Sequence, residues 1–257
     1  MYTAEIQFRV LRKTDGEAVT DAIDMLIVSL CRGGQISSGE WPLAASRTEV
    51  RTFVRIPERN SLQRKYESKW MARERAALKD AGLSQPKYKI IGIEPNALDV
   101  CRCKENTAFI LYRGLLVPVS PLRCFDCFGP VPLYRIPPTS WCDTYEDILM
   151  WKSDYERCDG LHIGSGVGER FGTRQISVLD SELSKDGLEC CRRITELTKK
   201  PCYYYLYRYG GRSRKSEEQR LCPSCGKRWR LKTALHDKFD FRCDRCLLLS
   251  NVAYAVT

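Results

Sequence analysis

The sequence predicts an α+β protein: an N-terminal strand–helix–strand–helix–strand sandwich, a central Cys-rich zinc insert, a helical segment and a C-terminal zinc ribbon. Three observations predict it. Apolar residues switch between a period of two and a period near 3.6 over the first ninety or so residues. Prolines and paired cysteines then crowd residues 99–138. Two Cys-x-x-Cys pairs close the chain, Cys222/Cys225 and Cys243/Cys246.

Residues 3–12 alternate, with Ile6, Phe8 and Val10 on one face, and predict a strand. Residues 15–31 place Ala18, Ala22, Leu26 and Leu30 at helical spacing, with Gly33-Gly34 as the stop. Residues 48–56 alternate again up to Pro57. Ser61 is the expected cap of a helix over 61–81, with Leu62, Tyr66, Trp70 and Ala77 on its inner stripe. A third strand is expected at 87–93. This order predicts helices packed on one face of a sheet.

Beyond it, 107–113 is strand-like, and Asp143 is placed to cap a helix through Cys158. The loop "GSGVGERFG" follows, then one long helix over 177–199 with Leu179, Leu183, Cys190, Ile194 and Leu197 inward. Gly187 weakens the middle of that helix by about 1 kcal/mol relative to alanine. The aromatic strand "CYYYLYRYG" comes next, and the polar "GRSRKSEEQR" is the expected linker to the ribbon. The expected domains are 1–98, 99–138, 139–210 and 211–257.

At 257 residues with 14 cysteines, the chain is too long to need a disulfide framework, and it carries no export signal or apolar run of membrane-spanning length. A cytoplasmic protein with reduced thiols is expected, with no membrane partner. The net charge of +10 is unevenly spread. Ten basic residues face four acidic ones over 47–79, and eight face two over 212–232, while 141–186 holds ten acidic against five basic. The expected surface is bipolar, which fits a protein partner better than a polyanion.

A Cys-x-x-Cys turn converges two thiolates, and two such turns complete a tetrahedral S4 shell suited to zinc. Cys222, Cys225, Cys243 and Cys246 are the expected ligands of a closed, structural site; redox dithiols or a disulfide pair are the alternatives. Cys101 and Cys103 with Cys124 and Cys127 form a second candidate set, so two Zn2+ per chain are expected. Cys31, Cys142, Cys158, Cys190, Cys191 and Cys202 are expected in the core. His162 and His236 are expected as structural or exposed histidines. The loop around Gly164, Gly166 and Gly168 lacks the flanking strand and later glycine of a dinucleotide fingerprint and has no Walker lysine, so it is expected to be a turn beside a helix start. No nucleophile–base pair and no open metal site is legible, and a non-catalytic protein is expected.

The segments "SPLRCFDCFGPVPLYRIP", "SGVGERFGTRQISVLDSELSKDG", "KPCYYYLYRYG" and "CPSCGKRW…FDFRCDRCLLLSNVA" resemble a bacterial family of Zn-ribbon-containing proteins of unknown function, described as candidate nucleic-acid binders. The likeness spans about 101–256. It implies zinc at the C-terminal tetrad and supports the central one. Some members resemble neighbours of polymorphic-toxin genes, which implies an immunity protein that masks a toxin domain. The competing expectation is a nucleic-acid-binding ribbon. Lys227, Arg228, Trp229 and Arg230, displayed between the C-terminal knuckles, are the candidate partner contacts.

Overall fold

The computed structural model describes residues 1–12, 15–37, 39–114, 119–164 and 166–256. They form two compact units: Met1–Val100 with Pro118–Ser120 and Pro130–Glu146, and Cys101–Val117 with Pro121–Gly129 and Asp147–Thr257. No helix among the described residues is long and apolar enough to cross a membrane.

The first unit follows the alternation of its sequence. Strands β1 (Tyr2–Arg9), β2 (Ala44–Ala45), β3 (Glu49–Ile56) and β4 (Lys87–Ile93) form an antiparallel sheet in the order β2-β3-β1-β4. Helices α1 (Gly16–Arg32) and α2 (Met71–Asp80) bury Ile23, Leu26, Ile27, Leu30, Met71 and Leu78 against Ile6, Phe8, Val50, Val54 and Ile56 in one core. Gly33 and Gly34 end α1 as expected, and Gly34 adopts φ +69° where a Cβ would lie 2.8 Å from that of Leu133.

The helix expected over 61–81 is shorter. Ser61 is not its cap: its hydroxyl donates to the Glu58 carbonyl at 2.8 Å and accepts from the Glu58 amide at 2.9 Å, closing a local turn. A 3-10 turn at Arg64–Tyr66 follows, Glu67 is extended, and the α-helix starts only at Met71. Trp70 stays 40% exposed, outside the predicted inner stripe, with its indole N–H donating to the Cys142 carbonyl. Asp143 likewise caps nothing; it sits at φ +55° and pairs with Lys69 at 2.8 Å, while the next helix begins at Glu146.

The second unit holds a six-stranded sheet, β6-β5-β7-β10-β9-β8, built from β5 (Phe109–Leu111), β6 (Leu122–Cys124), β7 (Cys202–Leu206), β8 (Arg230–Leu235), β9 (Phe239–Cys243) and β10 (Leu248–Ser250). Strands β5, β7 and β10 run parallel; β6 and β9 run against them. Strands from the cysteine-rich 99–138 segment and from the C-terminal ribbon thus join in one sheet on either side of β7.

Alternation sends β7 side chains to both faces. Tyr203 and Tyr205 pack with Ile110, Leu249 and Phe239, and the knuckle residues Phe125 and Phe128 lie against the same cluster. Tyr204 enters the other face beneath α3 (Glu146–Gly164) and α5 (Glu182–Thr198), where it meets Trp151 and donates to Ser184.

The long helix expected over 177–199 forms as α5, but it starts five residues later, at Glu182. Ser181 caps it, its hydroxyl accepting from the Ser184 amide at 3.2 Å, which sets that start. A further helix, α4 (Glu169–Ser177), precedes it and ends before Val178. The stretch after Gly168 is therefore α4 and not only a turn, with Gly168 at φ +84° preceding it; Ser165 lies outside the described residues.

Helix propensity favours alanine at position 187, but packing reverses the sign. A Cβ on Gly187 would stand 2.6 Å from the Trp151 indole nitrogen and press on the Tyr204 ring. Overpacking costs about 1–3 kcal/mol against the ~1 kcal/mol that alanine gains in a helix. Gly187→Ala is expected to lower the urea midpoint, and a raised midpoint would refute the close approach.

Candidate functional site

Each cysteine tetrad is assembled from a turn that leaves a strand and a second pair brought to it by the sheet. In the C-terminal tetrad, Cys243 ends β9, Cys246 lies in the turn to β10, and Cys222 and Cys225 arrive from the loop before β8. In the central one, Cys124 ends β6, Cys127 follows it, and Cys101 and Cys103 precede β5. The four sulfurs of each set lie within 4.8 Å of one another. Cys225 and Cys243 sulfurs are 3.7 Å apart, and those of Cys103 and Cys124 are 3.9 Å apart. A tetrahedral ion with metal–sulfur bonds of about 2.3 Å requires sulfurs about 3.8 Å apart. Both sets therefore have the donor chemistry and spacing to hold a metal ion with four protein ligands.

The knuckles share a backbone device. The residue after the second cysteine is left-handed in three of them: Phe128 at φ 58°, Gly226 at φ 68° and Leu247 at φ 51°. This conformation closes the turn, with the Gly226 amide donating to the Cys222 carbonyl and the Phe128 amide to that of Cys124, each at 2.9 Å. A left-handed phenylalanine is unfavourable by itself. Phe128 offsets this by stacking on His236 and meeting Phe239 and Tyr112 edge-on. Gly129 is needed for a different reason: a Cβ there would lie 3.0 Å from the Cys101 backbone.

N–H groups aim at the sulfurs. The Asn106 side-chain amide donates to Cys124 at 2.9 Å and to Cys101 at 3.3 Å, and the Asp126 amide donates to Cys124 at 3.3 Å. The amide of Lys227 leads in drawing the Cys225 thiol down to about 7. Burial pushes Cys127 and Cys243 up to about 12. A bound cation overrides that burial, because it stabilises the thiolate directly.

Strand direction fixes where the tetrads sit. Cys124 pairs with Phe109 and, through it, lies in line with Cys202; Cys243 pairs with Leu248, in line with Tyr204. Both knuckles thus stand at the end of the sheet where the three parallel strands begin.

The remaining predicted residues divide. Lys227, Arg228 and Arg230 are exposed, but Trp229 is 3% exposed and is not displayed. Its indole donates to the Arg220 carbonyl at 3.0 Å, its ring packs on that of Phe241, and the Arg220 guanidinium lies over both, so the ribbon uses it as core. Cys158, Cys190, Cys191 and Cys202 are buried, whereas Cys31 and Cys142 are half-buried. His236 donates from Nε2 to the Phe125 carbonyl at 2.7 Å, tying the β8–β9 turn to the central knuckle. His162 lines a tyrosine-walled pocket of about 430 Å3 at the opposite end of the sheet. Sequence reasoning missed that pocket because its walls are scattered from Tyr112 to Tyr254; the tyrosine run after Cys202 was its one local signal.

Comparison with known proteins places three models along the chain, each described as a domain of unknown function: DUF8589 over residues 1–92, DUF2310 over 103–207 and DUF8594 over 211–256. A Haemophilus influenzae protein described as uncharacterized is 32% identical over 99% of this chain and 99% of its own. A second uncharacterized protein of that organism is 35% identical over 65% of this chain and 82% of its own. A solved structure provisionally described as an antibiotic biosynthesis monooxygenase from Deinococcus radiodurans covers 39% of this chain at 8% identity with a TM-score of 0.27, too low for any inference.

Proposed function

The chain belongs to the DUF2310 family, with an uncharacterized relative 32% identical over 99% of its length, and on that premise we propose that it is a non-catalytic, zinc-stabilised binding protein that acts on another protein. The observation that carries this reading is the pair of closed S4 sets at one end of a single sheet. Four protein ligands leave no position for water or substrate, so such a metal rigidifies rather than reacts. Zinc suits an all-thiolate tetrahedron and brings no redox chemistry. Elemental analysis of the purified chain is expected to return two zinc per chain; iron in its place would overturn the metal, and one zinc would remove the central site.

A protein partner is supported by apolar and cationic side chains gathered at the α3–α4 corner. Ile163 and Phe171 are each 56% exposed there, beside the exposed Arg170 and Arg174. Aromatic and arginine side chains of this kind anchor protein interfaces. An immunity role, masking a toxin's active surface, is the sharper form of the proposal and rests on the sequence resemblance. Co-expression with the product of the adjacent gene is expected to yield a complex that survives purification. Recovery of the chain alone would remove the immunity role.

One observation favours nucleic acid as a second reading. The open face of the first unit's sheet exposes Phe53 among Arg9, Arg51, Arg55, Lys87 and Lys89. Single strands are held on such sheets by stacked aromatics within a basic groove. It ranks second because Arg51 pairs with Glu5 and Glu49, Arg55 pairs with Glu94, and among the described strand residues Phe53 is the one aromatic on that face. This reading predicts affinity that falls steeply with salt.

A further inference from the structure

The metal knuckles occupy the end of the second unit's sheet where β5, β7 and β10 begin, and a pocket of about 430 Å3 opens where they finish. Tyr112 follows β5 directly, Tyr207 and Tyr209 follow β7, and Tyr254 lies beyond β10. The carboxyl ends of parallel strands are a recurrent place for ligands, and this volume suits a small molecule. Helix α3 supplies the remaining wall. Tyr155, Asp159 and His162 are spaced four and then three residues apart, which puts them on one helix face.

Arg113, Asp159 and His162 are the ionisable groups of the lining besides the tyrosines. Arg113 is paired with Glu156 at 2.6 Å, and the same carboxylate oxygen takes Lys152 at 3.1 Å. His162 has both ring nitrogens engaged. Thr173 donates its hydroxyl to the Glu169 carbonyl at 2.8 Å, so towards His162 it accepts, at 2.8 Å, which assigns the proton to Nδ1. Nε2 lies 3.2 Å from the Tyr207 hydroxyl, so the two contacts fix the ring in the wall. Asp159 makes no hydrogen bond or ion pair among the described residues. Burial lifts its carboxyl above the usual carboxylate range, against His162 and Arg113, which pull it down. Among the described lining residues Asp159 is the one acidic side chain, set among phenol rings. Arg123, which packs over the Tyr112 ring, is not among the lining residues.

We propose that this pocket binds an organic ammonium ion, its cationic nitrogen at Asp159 and its carbon skeleton against the tyrosine faces. Aromatic rings attract a desolvated cation through their negative faces, and a carboxylate adds the countercharge. The pocket touches the α3–α4 corner through Ile163 at its rim and through His162, which Thr173 of α4 holds, but Asp159 and the tyrosines that would take the ligand lie outside that corner.

Calorimetry on the full, metal-loaded chain tests the proposal with three probes: choline, butylammonium and 3,3-dimethylbutan-1-ol, the neutral carbon analogue of choline. At least one ammonium is expected to bind saturably, and the alcohol about tenfold more weakly or worse. Asp159→Asn, which keeps shape and removes charge, is expected to cost the ammonium about tenfold, and Tyr209→Leu at the half-open rim to weaken it as well. Thermal melts of both variants check that they fold, and the alcohol comparison needs no variant. Failure of both ammonium ions to bind, an alcohol that binds as well as choline, or Asp159→Asn binding like the unaltered protein would each overturn the proposal.

Discussion

Removing the metal from the C-terminal tetrad, by chelation or by Cys243→Ser, is expected to unfold the second unit's sheet as a whole and not merely fray its edge. Cys243 lies within β9 and pairs directly with Leu248 of β10, and β10 stands between β9 and the central β7. A metal held by the tetrad would close that turn and so keep an interior strand in register. Structural zinc contributes about 10–16 kcal/mol of apparent free energy in small ribbons, against a net stability of about 5–15 kcal/mol for a typical domain. Losing it exceeds what the sheet retains. Near-ultraviolet circular dichroism reads the result directly, because Tyr203, Tyr204 and Tyr205 lie buried in that sheet. Their signal is expected to collapse, while the first unit, with its own core, keeps its helical signal. Acid acts in the same direction, since protonating thiolates releases the ion and affinity falls as pH falls. Cys127→Ser should be milder, because Cys127 is exposed and its knuckle follows the edge strand β6. An unchanged tyrosine signal after verified loss of metal would sink the argument.

The first unit was legible because its strands alternate cleanly and its helices face one core. Ile6 and Phe8 against Val50 and Val54 is a packing that the period-two alternation of the two segments predicts. The tetrads were legible because cysteine spacing encodes geometry locally. What sequence reading lost were contacts set by partners distant in the chain. Ser61 carries a good capping side chain, but the Glu58 turn takes it up, and Tyr134 lies 2.8 Å from its hydroxyl. Ser181 caps α5, so the helix starts after Leu179 although the apolar period includes that residue, and α4 forms in a stretch whose glycines suggest a loop. Trp229 looked exposed because its neighbours Arg228 and Arg230 are polar. In a strand-like segment, however, adjacent residues point to opposite faces, and the tryptophan takes the inner one.

The same error in "GRSRKSEEQR" concealed what is expected to be the most costly single charge to remove. Its polarity suggests a solvated linker, yet it forms the short helix α6 (Arg214–Glu218), capped by Ser213, and Glu217 on it is 3% exposed. Arg208 reaches Glu217 at 2.7 Å, and Arg220 stands 3.3 Å away in a charge contact whose angles do not make a hydrogen bond. Arg220 is itself confined, with Ser250 and the Asn251 carbonyl accepting from it and the Trp229 and Phe241 rings on its guanidinium. Burial lowers the Arg220 guanidinium to about 10, with Glu217 working in the opposite direction. Removing the carboxylate leaves a buried cation uncompensated, and breaking such a pair costs about 3–5 kcal/mol. Glu217→Gln, nearly the same shape, is expected to lower the unfolding free energy by that order in urea titration. Arg220→Met in the same background should recover much of the loss, because an apolar side chain tolerates the site against the two rings that a lone cation does not. If Glu217→Gln melts with the unaltered protein, the segment is the solvated linker its composition suggests. If the double variant is no more stable than the single one, the cost lies in packing against Gly211 and Ala253, since a Cβ on Gly211 would already meet Glu217 at 2.8 Å and Ala253 at 3.0 Å.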